Sequence, residues 1–395
     1  MPGLNLEPGH PQYRRSLAGL FLIGISTFGL MYTVQPLLVI IGTDFGRNAT
    51  ESALLLSATT LGIALAVIPL GQLASRIGRS RSMQLGLAIA AAAGIASAVA
   101  PRWDLLLAAR GVMGIGLAFI MVSAMAWVVD EASPWAFGRM GGLYISGTTL
   151  GGVLGRLSAG AFTELLDWRG AIMASTLLAL ATGVLAHVLL PTAQTPGRRL
   201  SRRQTTHPDP NRTFRLRMFV VGGFAMAAFV GIFNVTTYRV AGAPFWLGPG
   251  FTGLLFLTYL SGTLTSAVAG RWVQRFSVAR VMLPAALAAI VGVMITVLES
   301  LVAVVLGLLV LSAGFFTLHS IANAAAARFS PAPSQSSALY TLSYYLGSSV
   351  GGIILGFAWD IGAWPGSVAT AIALLLVAGV AGTTARPVSP QRNPT

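Results

Sequence analysis

Along this chain, apolar runs of membrane-crossing length alternate with short polar segments. Uncharged stretches cover Ser16–Thr43, Ser52–Ser75, Gly170–Gly197 and Ile361–Ala385. A helix rising ~1.5 Å per residue needs about 20 such residues to cross a hydrocarbon layer. Lipid offers a bare backbone no partner, so only helices or closed barrels span it, and the ~10-residue alternating strands of a barrel are absent from this pattern. The pattern predicts an all-α membrane protein with spans at 17–41, 52–74, 82–100, 105–128, 140–162, 170–190, 218–241, 251–273, 281–298, 301–326, 337–358 and 363–384. The first run exceeds the apolar core of a signal peptide, lacks a clear small-x-small cleavage site and is followed by further spans, so it reads as a retained helix.

Composition agrees with this reading. Of 395 residues 55% are hydrophobic and 9% charged, whereas soluble domains carry about 25% charged residues. The formal charge of +14 is a topology signal. With the N-terminus inside, 19 of the 25 arginines fall in cytoplasmic segments, among them Arg14, Arg15, Arg76, Arg79, Arg81, Arg271, Arg275 and Arg280. Outer loops hold only Arg47, Arg102, Arg169 and Arg239, together with seven of the eleven acids. That asymmetry is the positive-inside pattern, and it argues against nucleic-acid binding. All 25 basic residues are arginine, so neither a G-x-x-x-x-G-K-S/T phosphate loop nor a lysine Schiff base is possible. The absence of cysteine removes thiol catalysis, iron–sulfur clusters and disulfides. No nucleophile, metal cluster or buried carboxylate pair appears, and no enzyme, metal or cofactor is expected.

Residues 191–217 carry Pro191, Pro196, Pro208 and Pro210 among seven arginines and read as a cytoplasmic linker. It divides a six-helix bundle at 1–190 from a second at 218–395. The halves repeat. Gly71, Arg76 and Arg81 recur 199 positions on as Gly270, Arg275 and Arg280, and both sets fall between the second and third spans of their half. Leu143, Tyr144, Gly151, Gly155, Gly160 and Trp168 recur as Leu339, Tyr340, Gly347, Gly351, Gly356 and Trp364 at an offset of 196. Parallel six-helix repeats are a transporter architecture, with the substrate held near the midplane between the halves.

Several segments resemble the major facilitator superfamily, over nearly the whole chain. GQLASRIGRSR at 71–81 is similar to its loop motif G-x-L-A-D-R-x-G-R-R through Gly71, Leu73, Ala74, Arg76, Gly78 and Arg79. LLAARGVMGIG at 106–116 resembles its fourth-span motif, with an intramembrane arginine, and GTTLGGVLGR at 147–156 resembles the glycine-rich fifth-span motif of proton-coupled exporters. YTVQPLL at 32–38, GLYISGTTLGGVLGR at 142–156 and SALYTLSYYLGSSVGG at 337–352 resemble its YnfM-like, drug:proton antiporter-type branch. The resemblance implies a multi-pass bacterial inner-membrane transporter with cytoplasmic termini, working as a monomer. Its partners would be a small molecule, the bilayer and a proton, and the cavity would be lined by spans 1, 4, 7 and 10. Two departures stand out. The loop aspartate of the family, which latches the cytoplasmic side by pairing with an arginine, is Ser75 here and Gln274 in the second half, leaving Asp130 and Glu131 as substitutes toward Arg76 or Arg79. The fifth-span motif has Gly152 where the family has proline, with Arg156 near its end.

Candidate functional residues follow from polar groups inside spans. Arg110 lies in span 4, where an arginine toward the bilayer centre costs ~2.5–3.5 kcal/mol on insertion scales. It reads as a cavity cation for substrate or proton coupling, or as an arginine snorkelling to the outer interface. Arg156 reads as its partner in a cationic cavity, or as a structural ion pair with Asp44, Glu164 or Asp167. Ser312, His319 and Asn323 share one face of span 10 within ~40°, beside Phe315 and Phe316. The imidazole of His319 is a proton-coupling candidate or a hydrogen-bonded packing group. Tyr32, Gln35, Asn234, Tyr238, Tyr259, Tyr340 and Tyr344 are pocket candidates or helix-packing contacts. No carboxylate lies deep in a span, and Asp44 at the outer edge is the remaining proton candidate. The aromatic, weakly charged set fits export of an amphiphilic organic compound, the alternative being facilitated or symported transfer of a small solute, neutral or anionic.

Overall fold

The computed structural model describes residues 4–193 and 209–388, so the greater part of the expected linker, with His207, lies outside the described residues. Among these residues the chain is helical, with one isolated bridge and no strand. Helix α1 runs Tyr13–Tyr32 and, after a 3-10 turn at Gln35–Leu37, Leu38–Asp44; the turn falls where Pro36 supplies no N–H. There follow α2 (Ala49–Ile77), α3 (Arg79–Val99), α4 (Trp103–Glu131), α5 (Phe137–Thr163), α6 (Trp168–Leu189) and α7 (Arg212–Ala241). Helix α8 runs Pro249–Leu255 and, through a 3-10 turn at Phe256–Thr258, Tyr259–Phe276; α9 is Val278–Ile295 and α10 Leu301–Arg328. The helical stretch Pro333–Thr383 loses helical geometry at Gly362 and Ala363, which divides it into α11 (333–361) and α12 (364–383). Among the described residues ten helical stretches are long and apolar enough to cross a membrane; the break at Gly362 and Ala363 divides the last of them in two, and α5, expected as a span, is helical but is not among them. Local signals fix several ends. Asn48 and Glu51 form a capping box at the start of α2, each side chain taking the other's backbone N–H at 2.9 and 3.2 Å, and Asp167 caps α6 through the Gly170 amide at 2.7 Å.

The helices group into two compact units. The first holds residues 4–193 with Asn234–Leu257, and the second holds 209–233 with 258–388. The last turns of α7 and the first of α8 therefore count with the first six helices rather than with the rest of their own repeat.

Within each unit a glycine seam draws two helices together. In the first, Gly147, Gly151 and Gly155 of α5 lie against Phe21, Ile25 and Gly29 of α1, where an added Cβ would come within 2.2–2.4 Å of backbone oxygens. In the second, Gly347 and Gly351 of α11 lie equally close to Gly223 and Ala227 of α7. No side chain larger than hydrogen fits such a contact. The repeat also survives in a turn. Gly78, between α2 and α3, sits at φ 94°, ψ 146°, and its counterpart 199 residues on, Ser277 between α8 and α9, sits at φ 72°, ψ 158°.

Candidate functional site

In the first unit Arg156 is 1% exposed. Its Nε donates to Gln35 Oε1 at 2.7 Å and Nη1 to the Gly152 carbonyl one turn back at 2.7 Å. The Tyr32 ring lies 3.7 Å from its Cζ and the Phe256 ring 4.5 Å away, so the cation is boxed between two π faces. Gln35 passes the interaction on, its Nε2 donating to Asn234 Oδ1 at 2.7 Å. The 3-10 turn of α1 presents Gln35 and that of α8 begins at Phe256. The structure thus brings Tyr32, Gln35, Arg156 and Asn234 together, with Gly152 and Phe256 as members that sequence spacing did not reveal. Tyr238 lies one turn beyond Asn234 and its hydroxyl faces the Leu38 carbonyl at 3.4 Å. The three acids weighed as ion-pair partners of Arg156 are engaged elsewhere, which corrects that expectation. Asp44 accepts from Trp168 Nε1 at 3.0 Å and lies 4.0 Å from Arg169, Glu164 accepts the Gly250 amide at 3.0 Å, and Asp167 is the α6 cap.

Arg110 does not snorkel. It is fully buried, donating to the Met31 carbonyl of α1 at 2.8 Å, to the Leu55 carbonyl of α2 at 3.2 Å and toward Met113 Sδ at 3.0 Å. One guanidinium therefore ties three helices together through main-chain acceptors.

In the second unit an aromatic array runs across α7, α8, α10 and α11. Phe229 stacks on Phe315 with centroids 3.9 Å apart, Tyr259 packs on Phe229 and Phe233 at 4.8 and 4.6 Å, and Phe316 closes edge-on against Phe229. His319 continues it, 4.6 Å from the Tyr344 ring and 5.5 Å from that of Tyr340. The Tyr340 hydroxyl lies 2.9 Å from His319 Nδ1 and donates to the His319 carbonyl at 3.1 Å. The hydroxyl has one hydrogen for these two acceptors, so the ring tautomer follows its orientation, and in either case Nδ1 is engaged by Tyr340. His319 is half-buried, Ser312 is buried two turns back with no partner for its hydroxyl among the described residues, and Asn323 lies one turn further on, half-buried. Phe229 and Phe233 were missed by the sequence reading, although their i, i+4 spacing marks one face of α7.

The loop motif is also built. Arg79 Nε donates to Asp130 Oδ2 at 3.0 Å, with both side chains almost buried, while Ser75 turns its hydroxyl back onto Gln72 O at 2.6 Å and Arg76 is exposed. Asp130 thus takes an arginine of the altered motif. Next to it Glu131 is fully buried, accepts the Leu4 amide at 2.8 Å through its side chain and the Leu6 amide at 2.8 Å through its carbonyl; Leu6 is itself fully buried. On the other copy of the motif, Gly270, Arg275 and Arg280 are exposed.

The model of the family described as Major Facilitator Superfamily matches residues 20–266. The inner membrane transport protein YnfM of Escherichia coli is 33% identical over 381 residues, covering 95% of this chain and 91% of that protein. YybF of Bacillus subtilis, an uncharacterised MFS-type transporter, is 31% identical over 380 residues and 94% of each chain. Among solved structures, a bacterial homologue of the human lysosomal transporter Spinster superposes with a TM-score of 0.77 over 95% of this chain and 97% of that one, at 15% identity.

Proposed function

The chain belongs to the major facilitator superfamily, a multi-pass family of membrane transporters for small molecules and not of enzymes, and from that premise we propose that it exports an amphiphilic organic compound by alternating access coupled to protons. Its termini face the cytoplasm on this reading, as the arginine asymmetry requires, and the first and second six-helix repeats are its two functional halves. The observation that carries the proposal is the placement of His319. It stands at one end of a continuous aromatic array with its Nδ1 engaged by the Tyr340 hydroxyl. An aromatic face favours a flat apolar body, and an imidazole beside it couples protonation to occupancy of that face. The sequence puts no carboxylate in the middle of a span, so the proton has few other carriers, Asp44 among them.

The test is transport by protein reconstituted in vesicles, with substrates drawn from metabolites depleted in expressing cells relative to non-expressing ones. Uptake should accelerate with an imposed pH gradient. The His319→Gln variant should lose that acceleration while retaining downhill exchange. Gradient-driven transport at the full rate in His319→Gln would make the imidazole a packing group and turn attention to Asp44.

A further inference from the structure

The hydrogen bonds around Arg156 have a direction. Arginine only donates, so the Gln35 atom that meets Nε must be its oxygen, and the far end of that amide must be its nitrogen. That nitrogen donates, so the Asn234 atom 2.7 Å away must be Oδ1. The chemistry alone therefore fixes both amide orientations, and Asn234 is left with Nδ2 facing away from the chain. This Nδ2 is buried and has no hydrogen-bond partner among the described residues; the whole side chain is 2% exposed. Every donor arrow runs from the cation outward, from Arg156 to Gln35 and from Gln35 to Asn234. Successive amides aligned this way polarise one another. The terminal N–H is thus a strengthened donor, at the positive end of a chain that starts on a guanidinium.

We propose that Asn234 Nδ2 and the Arg156 chain behind it form a subsite for an oxyanion, the carboxylate of an organic solute. A carboxylate is an acceptor-only group of the opposite charge, the complement of a polarised donor that no protein atom satisfies. A neutral amide or alcohol can accept one bond there but gains nothing from the charge behind it. Tyr32 and Phe256 hold the guanidinium flat by their ring faces, leaving the cation's field intact while excluding water from it. The inference rests on the transporter reading in one respect: the atoms are closed off in this conformation, and a solute reaches them only in another conformation of the alternating cycle. It narrows that reading to amphiphilic organic anions.

The experiment measures thermal unfolding of the purified full-length protein with acetate, benzoate and phenylacetate, each against its uncharged amide. At least one carboxylate should raise the midpoint saturably, with an apparent affinity ten-fold or more above that of its amide. Asn234→Leu keeps the γ-branched shape and removes the donor, and should weaken that affinity at least ten-fold. Asn234→Asp keeps the Gln35 bond, puts an acceptor where the donor stood, and should abolish the response; it also serves if the leucine variant does not fold. Equal responses to acid and amide, no response to any carboxylate, or an unchanged response in both variants would overturn the subsite. Flux assays separate the two readings. A protein that carries solutes across vesicles yet ignores all three carboxylates loses the subsite alone. Carboxylate binding without flux of any solute keeps the subsite and removes the transporter reading.

Discussion

Arg110 and Arg156 are both buried arginines in neighbouring helices, and the structure gives them different work. A guanidinium out of water needs acceptors. Arg110 finds them in the main chains of α1 and α2, and Arg156 finds an amide oxygen and two ring faces. Each hydrogen bond to a charged group contributes about 1.5–3 kcal/mol, so Arg110→Ala should lower the unfolding free energy by about 3 kcal/mol or more. The measurement is the unfolding midpoint in detergent, with Arg110→Lys expected to fall between because an ammonium cannot hold the same fork. An unshifted midpoint with transport lost would instead return Arg110 to the role of a cation for substrate. From the sequence both arginines were legible as unusual, since charge inside a span is costly. Their partners were not, because a carbonyl acceptor and a cation–π face leave no mark in residue spacing.

At the scale of elements, the turn shared by the two halves offers a sharper test of the repeat. Gly78 at φ 94° is free of penalty because glycine has no Cβ, whereas Ser277 adopts nearly the same geometry at φ 72°, ψ 158°, a region that is essentially glycine's and costs other residues ~1–3 kcal/mol. Ser277→Gly should therefore raise the unfolding midpoint, by an amount corresponding to about 1 kcal/mol once the added freedom of the unfolded chain is discounted. Gly78→Ala should lower it. Equal midpoints for Ser277→Gly and the parent would mean that the turn is relaxed. The helices themselves were legible almost to their ends, because hydrophobic run length is set by the bilayer and not by the neighbours. The two 3-10 turns were not read. Pro36 marked the first, but nothing comparable marks Phe256–Thr258.

For the whole molecule the arginine asymmetry makes a topological prediction. The chain has no cysteine, so single cysteines report position without background. Arg275→Cys should react with an impermeant maleimide only from the cytoplasmic side, and Arg102→Cys only from outside. Labelling of Arg275→Cys in intact cells would reverse the orientation and, with it, the direction of export. The Arg79–Asp130 pair and the buried Leu6–Glu131 contact stand on the side assigned to the cytoplasm. There the altered motif keeps an arginine–carboxylate contact by drawing its acid from the end of α4 instead of from the loop.

Sequence alone determined the class, the helical spans and the internal repeat. These follow from solvent chemistry and duplication: lipid demands apolar runs of a set length, and a duplicated unit repeats its turns and glycines. The three-dimensional packing decided which of the candidate residues meet. Gln35 meets Arg156 across 121 positions and Asn234 across 199, and the stack of Phe229 on Phe315 joins α7 to α10. Such contacts are fixed by where helices cross, at seams like Gly151 on Ile25 and Gly351 on Ala227. A crossing is a property of two surfaces at once, so the side chains it brings together, and the amide nitrogen it leaves without a partner, appear only when both surfaces are in place.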